Sequence, residues 1–380
     1  MEFDHNNVRW VVEQDRLSRL PDELLHKILS CFDMKFVVET CLLSSRWKLL
    51  WTSMPFLNFS SSHFGSLLRF AEFMTHVLFH RDHQREVSLL KLHFQGAAND
   101  FFVRKIADYV SSHNVQQLTI WLTHHLPNNP PFMFTSKSLK HFTLTSIVIG
   151  ACNITPKTHW DFPALTTLHL SGIVLSGDVF SKCVNLKHLT LESFVINADV
   201  EEFDIITPQL SNLMLIGGKC SSKVINLIAP QLENLTIYHC IIKLLNAPAG
   251  VSSLCYMGFP HPQLFKDCFT SLNEVSICWL KMPYKKEDAL KTIHMLQKLH
   301  SARYVTLDAY TVECISSFPD LLLHNSSPFT NLICLTIDSS MHVDPYKVKM
   351  SIEARNFLLE NSPNATLVMK LPKEILSQRY

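Results

Sequence analysis

The chain has 380 residues, 47% of them hydrophobic and 18% charged, so it holds enough apolar mass for large cores and is expected to contain more than one domain. A formal net charge of +1 argues against a nucleic-acid partner, which would need clustered Lys and Arg. Eleven cysteines without a CxxC pair read as buried small hydrophobes of a reducing compartment, not as a disulfide framework or a zinc site.

Residues 1–14, opening MEFDHNNVRW, read as a polar tail with neither the basic start nor the apolar run of a secretory signal. No uninterrupted apolar stretch reaches about 18 residues, so no membrane partner is expected; with the reducing compartment that the cysteines indicate, action in the cytoplasm and/or nucleus is the expectation. Sequons such as Asn58-Phe59-Ser60 are then chance matches.

Residues 15–55 carry more apolar side chains than so small a unit can bury alone, which points to a partner. Pro21 suits the first position of a helix, with Leu20 in the N-cap place and Asp22 and Glu23 in the first turn, where negative charge meets the positive end of the helix dipole. Leu is a poor N-cap, since it offers no oxygen to the free N–H groups, and this suggests another use. Leu24, Leu25, Ile28, Leu29 and Phe32 then form a wide apolar stripe at helical spacing. Ser44 or Ser45 is placed to cap a later helix carrying Trp47, Leu50 and Trp51, and Pro55 closes it.

With Leu20, Pro21, Glu23, Leu24, Leu25, Ile28, Leu29, Leu43, Trp47 and Trp51 in order, this stretch resembles the F-box at the start of plant F-box/leucine-rich-repeat proteins of the FBD-like type. The resemblance implies a three-helix F-box. It also implies that Leu20, Pro21, Leu24, Leu25, Ile28 and Leu29 contact a Skp-family adaptor and, through it, a cullin, with Glu23, Leu43, Trp47 and Trp51 completing the adaptor-binding set. By the same resemblance the chain is expected to be the substrate-recognition subunit of a Skp-cullin-F-box E3 ubiquitin ligase, a non-catalytic receptor, since the chemistry of that ligase class belongs to other subunits. The alternative is a leucine-rich-repeat scaffold for protein interactions without ligase activity.

Residues 56–86 read as a linker in which Leu67, Phe70, Ala71, Met74, Val77 and Leu78 pattern an amphipathic helix between Ser66 and His80, able to seal the first repeat against the F-box. Over residues 87–345 the template apolar-x-x-apolar-x-apolar recurs eleven times, from Val87/Leu90/Leu92 through Leu168/Leu170, Leu213/Leu215 and Leu254/Tyr256 to Leu332/Leu335/Ile337. Successive central apolar residues lie 28, 24, 26, 21, 24, 22, 19, 21, 30 and 30 apart by subtraction. This is a leucine-rich-repeat period with irregular insertions, predicting an α/β solenoid of short parallel strands. Ile206-Thr207-Pro208, Ile228-Ala229-Pro230 and Asn246-Ala247-Pro248 recur just before strands, where proline ends one segment. The usual Asn or Cys three residues past the last apolar position is met only by Cys240; Ile147, Ile173, Phe194, Gly218 and Leu280 stand elsewhere, which favours a divergent form.

Residues 346–380 read as a C-terminal cap, a shortened FBD-like segment with a helix over 351–361 and a strand over 365–369, covering the last repeat's open edge. No Walker loop, GxSxG or HExxH occurs, nine glycines leave little for a phosphate cradle, and the twenty histidines, His124-His125 included, fall at no ligand spacing; no catalytic residue, metal or cofactor is assigned. Between the last two apolar positions of each repeat one residue points away from the core, and in that row His169 and Met214 stand out as candidates for touching an unknown protein substrate. Loops after the strands are the competing surface. The F-box and the repeats are expected to have separate cores.

Overall fold

A segment that alternates apolar and polar residues buries one face by adopting the period of two of a strand. In the computed structural model, which describes residues 17, 19–95, 100–123, 135–149, 152–155, 160–197, 201–260, 265, 267–281, 285–340 and 348–370, all eleven template segments are strands of one parallel sheet. Its strands, in spatial and chain order, are Phe56–Ser60, Leu89–Phe94, Gln117–Leu122, His141–Ser146, Thr167–Ser171, His188–Glu192, Asn212–Ile216, Asn234–Tyr238, Ser253–Gly258, Glu274–Trp279, Tyr304–Asp308, Cys334–Asp338 and Thr366–Lys370. Every template residue is buried, so the repeated triplets are the core.

Two of these strands flank the eleven. The last is the one expected near 365–369. The first, Phe56–Ser60, corrects the reading of residue 56 onward as linker: Met54, Leu57 and Phe59 fit the same template, are buried, and pair Asn58 with Lys91. The sheet therefore starts directly behind the N-terminal helical segments. The expectation of separate cores fails for the same reason, because one apolar cluster runs from Leu25, Met34 and Trp47 through Met54 and Leu57 into Phe70 and the repeats.

The spacing of the repeats records what lies behind each strand. A helix advances about 1.5 Å per residue and an extended strand about 3.3 Å, so a helical return needs more chain to cover the same length. Helices Leu67–His80, Asp100–Ser112, Lys286–Gln297, Ala309–Ser316 with Pro319–Leu323, and Ile352–Leu359 occupy long connections near both ends. In the short central connections the chain returns extended, as Cys152–Ile154, Ile173–Leu175, Val195–Ile196 and Lys219–Cys220 in one small sheet and Glu202–Ile206, Val224–Ile228 and Leu245–Asn246 in another. The Ile-x-Pro marks end strands of this third sheet, with Thr207 and Ala229 buried at the corner.

Each central repeat turns its corner with one left-handed residue directly after the main strand: Gly172 (φ 70°), Ser193 (φ 48°), Gly217 (φ 60°) and His239 (φ 55°). Their N–H groups donate across to Glu192, Ile216, Tyr238 and Met257 carbonyls at 2.7–2.9 Å. The missing asparagine ladder is thus replaced by main-chain bonds from repeat to repeat. Cys240, at the usual Asn or Cys position, accepts at its Sγ from the Gly218 N–H at 3.4 Å, while Phe194 lays its ring where a Cβ on Gly218 would be.

Candidate functional site

The N-terminal module consists of α-helices Asp22–Leu29 and Met34–Glu39 and 3₁₀ segments Thr40–Leu42 and Trp47–Ser53. Two local expectations are corrected. Pro21 (φ −55°, ψ 151°) is the N-cap itself and not the first helical residue; its carbonyl accepts from Leu24 and Leu25 N–H groups, which is the N-cap's role. Neither Ser44 nor Ser45 caps the tryptophan segment, whose N-cap is Arg46 without a side-chain bond; the Ser44 carbonyl accepts from the Trp47 N–H at 3.1 Å, a turn that winds the segment as 3₁₀. The second helix is capped by Asp33, whose Oδ1 accepts from the Lys35 N–H at 2.8 Å.

The ten residues expected at an adaptor interface divide by burial. Leu25, Leu29 and Trp47 are 0%, 4% and 5% exposed, so their direct contact with a partner is corrected: they hold the helices together. Their sequence spacing could not separate them from the outer residues, because an apolar stripe wider than one helix face contains both. Leu24 and Ile28, one turn apart, are 48% and 42% exposed on the same helix. Pro21, Glu23 and Leu43 are exposed, and Leu20 and Trp51 are half-buried against the core. Phe32, Phe36, Leu42 and Leu49 are exposed apolar residues of the same module that the motif did not single out. Phe32 sat in the sequence stripe; the other three carry no spacing signal that marks them as exposed.

At the start of this module two bonds fix Leu20. Its N–H donates to the Leu17 carbonyl at 3.0 Å, and its own carbonyl accepts from Arg46 Nη2 at 2.5 Å. The same guanidinium nitrogen reaches Asp22 Oδ1 at 2.7 Å.

On the sheet's solvent face the central row is continuous: Asn58, Lys91, Thr119, Thr143, His169, Thr190, Met214, Thr236, Cys255, Ser276, Thr306, Thr336 and Val368 stand in register across the strands. His169 Nε2 lies 3.2 Å from Glu192 Oε2 two strand positions along the next strand, so it is engaged within the face. Met214 is 38% exposed. Around it the solvent-facing residues of strands Asn212–Ile216, Asn234–Tyr238 and Ser253–Gly258 carry no charge. Asn234 Nδ2 donates to Asn212 Oδ1 at 2.8 Å, and the Tyr238 hydroxyl meets Cys255 Sγ at 3.4 Å. That bond, with burial adding to it, pushes the Tyr238 phenol up to about 12, so the patch stays neutral at physiological pH. The result is a polar-to-sulfur surface flanked, not crossed, by charge.

All eleven cysteines are free thiols, four of them buried. Burial pushes Cys152, Cys183 and Cys314 up to about 12, which keeps them protonated and unreactive. Among the described residues no cluster of three or more His, Cys, Asp or Glu could hold a metal ion, and no helix is long and apolar enough to cross a membrane. His124-His125 lies outside the described residues, as does the 1–14 tail.

Comparison with known proteins places the same two parts. Residues 17–59 match the family described as F-box domain, and residues 103–262 match the family described as FBD-associated F-box protein At5g56370, LRR repeats. The F-box/FBD/LRR-repeat protein At3g51530 of Arabidopsis thaliana is 30% identical over 237 residues, 60% of this chain and 50% of that protein. The putative F-box/FBD/LRR-repeat protein At4g03220 of Arabidopsis thaliana is 32% identical over 173 residues, 44% of this chain and 34% of the relative. The F-box/FBD/LRR-repeat protein At5g22660 of Arabidopsis thaliana is 27% identical over 384 residues, 95% of this chain and 78% of the relative. The chain thus spans about half the length of the first of these relatives and about a third of the second.

Proposed function

Because the chain belongs to the F-box proteins with FBD-associated leucine-rich repeats, we propose that it is the substrate-recognition subunit of a Skp-cullin-F-box E3 ubiquitin ligase. The observation that carries this reading is the divided stripe of helix Asp22–Leu29. Leu25 and Leu29 anchor it while Leu24 and Ile28 stay half out of the protein, with Phe32 exposed just beyond. Completing the burial of a half-exposed Leu or Ile contributes on the order of 1 kcal/mol, so a patch of several such residues supports a specific complex. Pro21, Glu23, Leu24, Ile28 and Leu43 are the outer residues of the adaptor-binding set, with Leu20 and Trp51 at its margin. A Skp-family adaptor bound there links the chain to a cullin. The chain acts by positioning, and the transfer of ubiquitin takes place on other subunits.

The repeats then present a protein target on the sheet's solvent face, where His169 and Met214 are the residues to test first. The neutral surface around Met214 suits apolar and hydrogen-bonding contacts, whose affinity depends weakly on salt. Such a receptor works in the cytoplasm, the nucleus or both.

The test is a calorimetric titration of the purified full chain with a Skp-family adaptor. Binding is expected, and Leu24→Asp with Ile28→Asp should abolish it without unfolding the chain, since both side chains already meet solvent. No heat of binding at micromolar adaptor would overturn the ligase reading and leave a repeat scaffold.

A further inference from the structure

The first α-helix of the F-box begins without a side-chain cap: Pro21 has no oxygen to offer, and its ring nitrogen carries no hydrogen. The segment before it would therefore be free to swing. It is held instead from 26 residues further along the chain, where Arg46 Nη2 donates to the Leu20 carbonyl at 2.5 Å and also to Asp22 Oδ1 at 2.7 Å. One cation thus grips the residue before Pro21 and the residue after it, while the Leu20 N–H is taken by the Leu17 carbonyl. Both peptide groups flanking the Leu20 side chain are fixed, and with them the angle at which Leu20 and Pro21 enter the helix.

The geometry points to Arg46 as a positioning residue for adaptor binding: it preorganises the Leu20-Pro21 corner so that the adaptor does not have to order it. This inference rests on the adaptor-binding reading above. The ion pair with Asp22 is largely exposed and by itself contributes little to stability. The carbonyl bond is the specific part, because a guanidinium reaches a carbonyl and a carboxylate together through directed N–H groups, whereas an ammonium is a compact point donor. Ordering a binding segment beforehand reduces what association must order, so the effect belongs in affinity more than in global stability.

Three variants of the full chain separate the possibilities: Arg46→Ala, Arg46→Lys and Leu24→Asp. Adaptor affinity and thermal unfolding are read for each, and amide hydrogen exchange of the isolated chain at Leu24 and Leu25, whose N–H groups bond the Pro21 carbonyl, for the two Arg46 variants. Arg46→Ala should weaken adaptor binding about tenfold and speed exchange at those two amides, with the melting temperature unchanged; Arg46→Lys should recover part of both losses. Leu24→Asp should remove binding with the melting temperature unchanged. If Leu24→Asp removes binding while Arg46→Ala binds like the unaltered chain, the positioning role is overturned and the adaptor reading stands. If the unaltered chain does not bind, the adaptor reading falls and this role with it. A drop in melting temperature that accounts for the whole loss in Arg46→Ala would make the residue structural and overturn the inference.

Discussion

The guanidinium of Arg81 donates to the Tyr109 hydroxyl at 3.1 Å from Nη1 and, through Nη2, to the Met54 carbonyl at 3.0 Å. Arg81 is 2% exposed, and the Arg85 carbonyl takes a further bond from Nη1. These bonds tie together the end of the F-box, the end of helix Leu67–His80 and helix Asp100–Ser112. They also join the F-box to the repeats as one body, alongside the shared apolar core. Burial raises the Tyr109 pKa while the neighbouring guanidinium opposes the rise.

Arg81→Ala should therefore lower the stability of the whole chain by about 2–4 kcal/mol, because it leaves buried acceptors without donors and opens space at the joint. Tyr109→Phe, which removes one of three acceptors, should lose about 1 kcal/mol. Urea denaturation checks both. An Arg81→Ala chain within 0.5 kcal/mol of the unaltered protein would mean that the joint contributes nothing.

Gly172 tests the corner design of the repeats. Its φ of 70° is strained for any residue with a Cβ, and a Cβ there would stand 2.0 Å from the Ser146 carbonyl oxygen, a main-chain atom that cannot rotate away. Gly172→Ala should destabilise by about 3 kcal/mol or more and lower the yield of folded protein. Gly65→Ala is the control, since nothing lies within 4 Å of its added Cβ and its φ is ordinary; it should be neutral or gain about 0.4–1 kcal/mol. Equal effects at the two sites would refute the steric argument.

The solenoid was legible because its signal is repeated and its burial one-sided. Eleven triplets each report the same period-two strand, and no single irregular connection can hide them. The first strand escaped notice because Met54, Leu57 and Phe59 are bounded by the tryptophan segment and by a helix, and a lone triplet next to a different motif has no neighbours to confirm its period. Within the F-box, composition identified the helix but not its outer face. Leu24 and Leu25 are chemically identical, and which one faces solvent is decided by the buried cluster that takes in Leu25 together with Met34, Trp47 and residues beyond the helix. The contacts of Arg46 and Arg81 with main-chain carbonyls leave no residue pattern, because every residue has a carbonyl.

Asp33 should make stability depend on pH. Its Oδ1 caps the second helix and its Oδ2 is buried, and burial raises the carboxyl pKa above its ordinary 3.8 although the main chain of Lys35 and Ser60 and the nearby His63 and Lys35 side chains oppose the rise. The folded chain then holds this proton more tightly than the unfolded chain. Stability from this group is full below 3.8 and falls as pH rises toward the folded pKa, after which the loss is constant. Asp33→Asn keeps an oxygen for the Lys35 N–H and carries no charge, so it should be more stable than the unaltered chain at pH 7. The gain should disappear in melts below the ordinary carboxylate pKa. A variant less stable at pH 7 would show that the charged form is better compensated than its geometry indicates.

The cysteines supply a reporter for the proposed interface. Cys31 and Cys268 are the two exposed thiols, whereas Cys152, Cys183, Cys220 and Cys314 are buried, with burial raising the pKa of each. Alkylation needs both access and thiolate, so Cys31 and Cys268 should react with a maleimide at once and the buried four only when the chain opens. Cys31 follows the first helix directly: its N–H donates to the Ile28 carbonyl at 3.2 Å, which places it beside the exposed Leu24, Ile28 and Phe32. Cys268 lies far along the repeats, before strand Glu274–Trp279. A Skp-family adaptor seated on the first helix should slow labelling of Cys31 by tenfold or more and leave Cys268 unchanged, as read by peptide mass spectrometry at saturating adaptor. Equal protection of both would indicate a global tightening of the chain, and protection of Cys268 alone would move the adaptor onto the repeats.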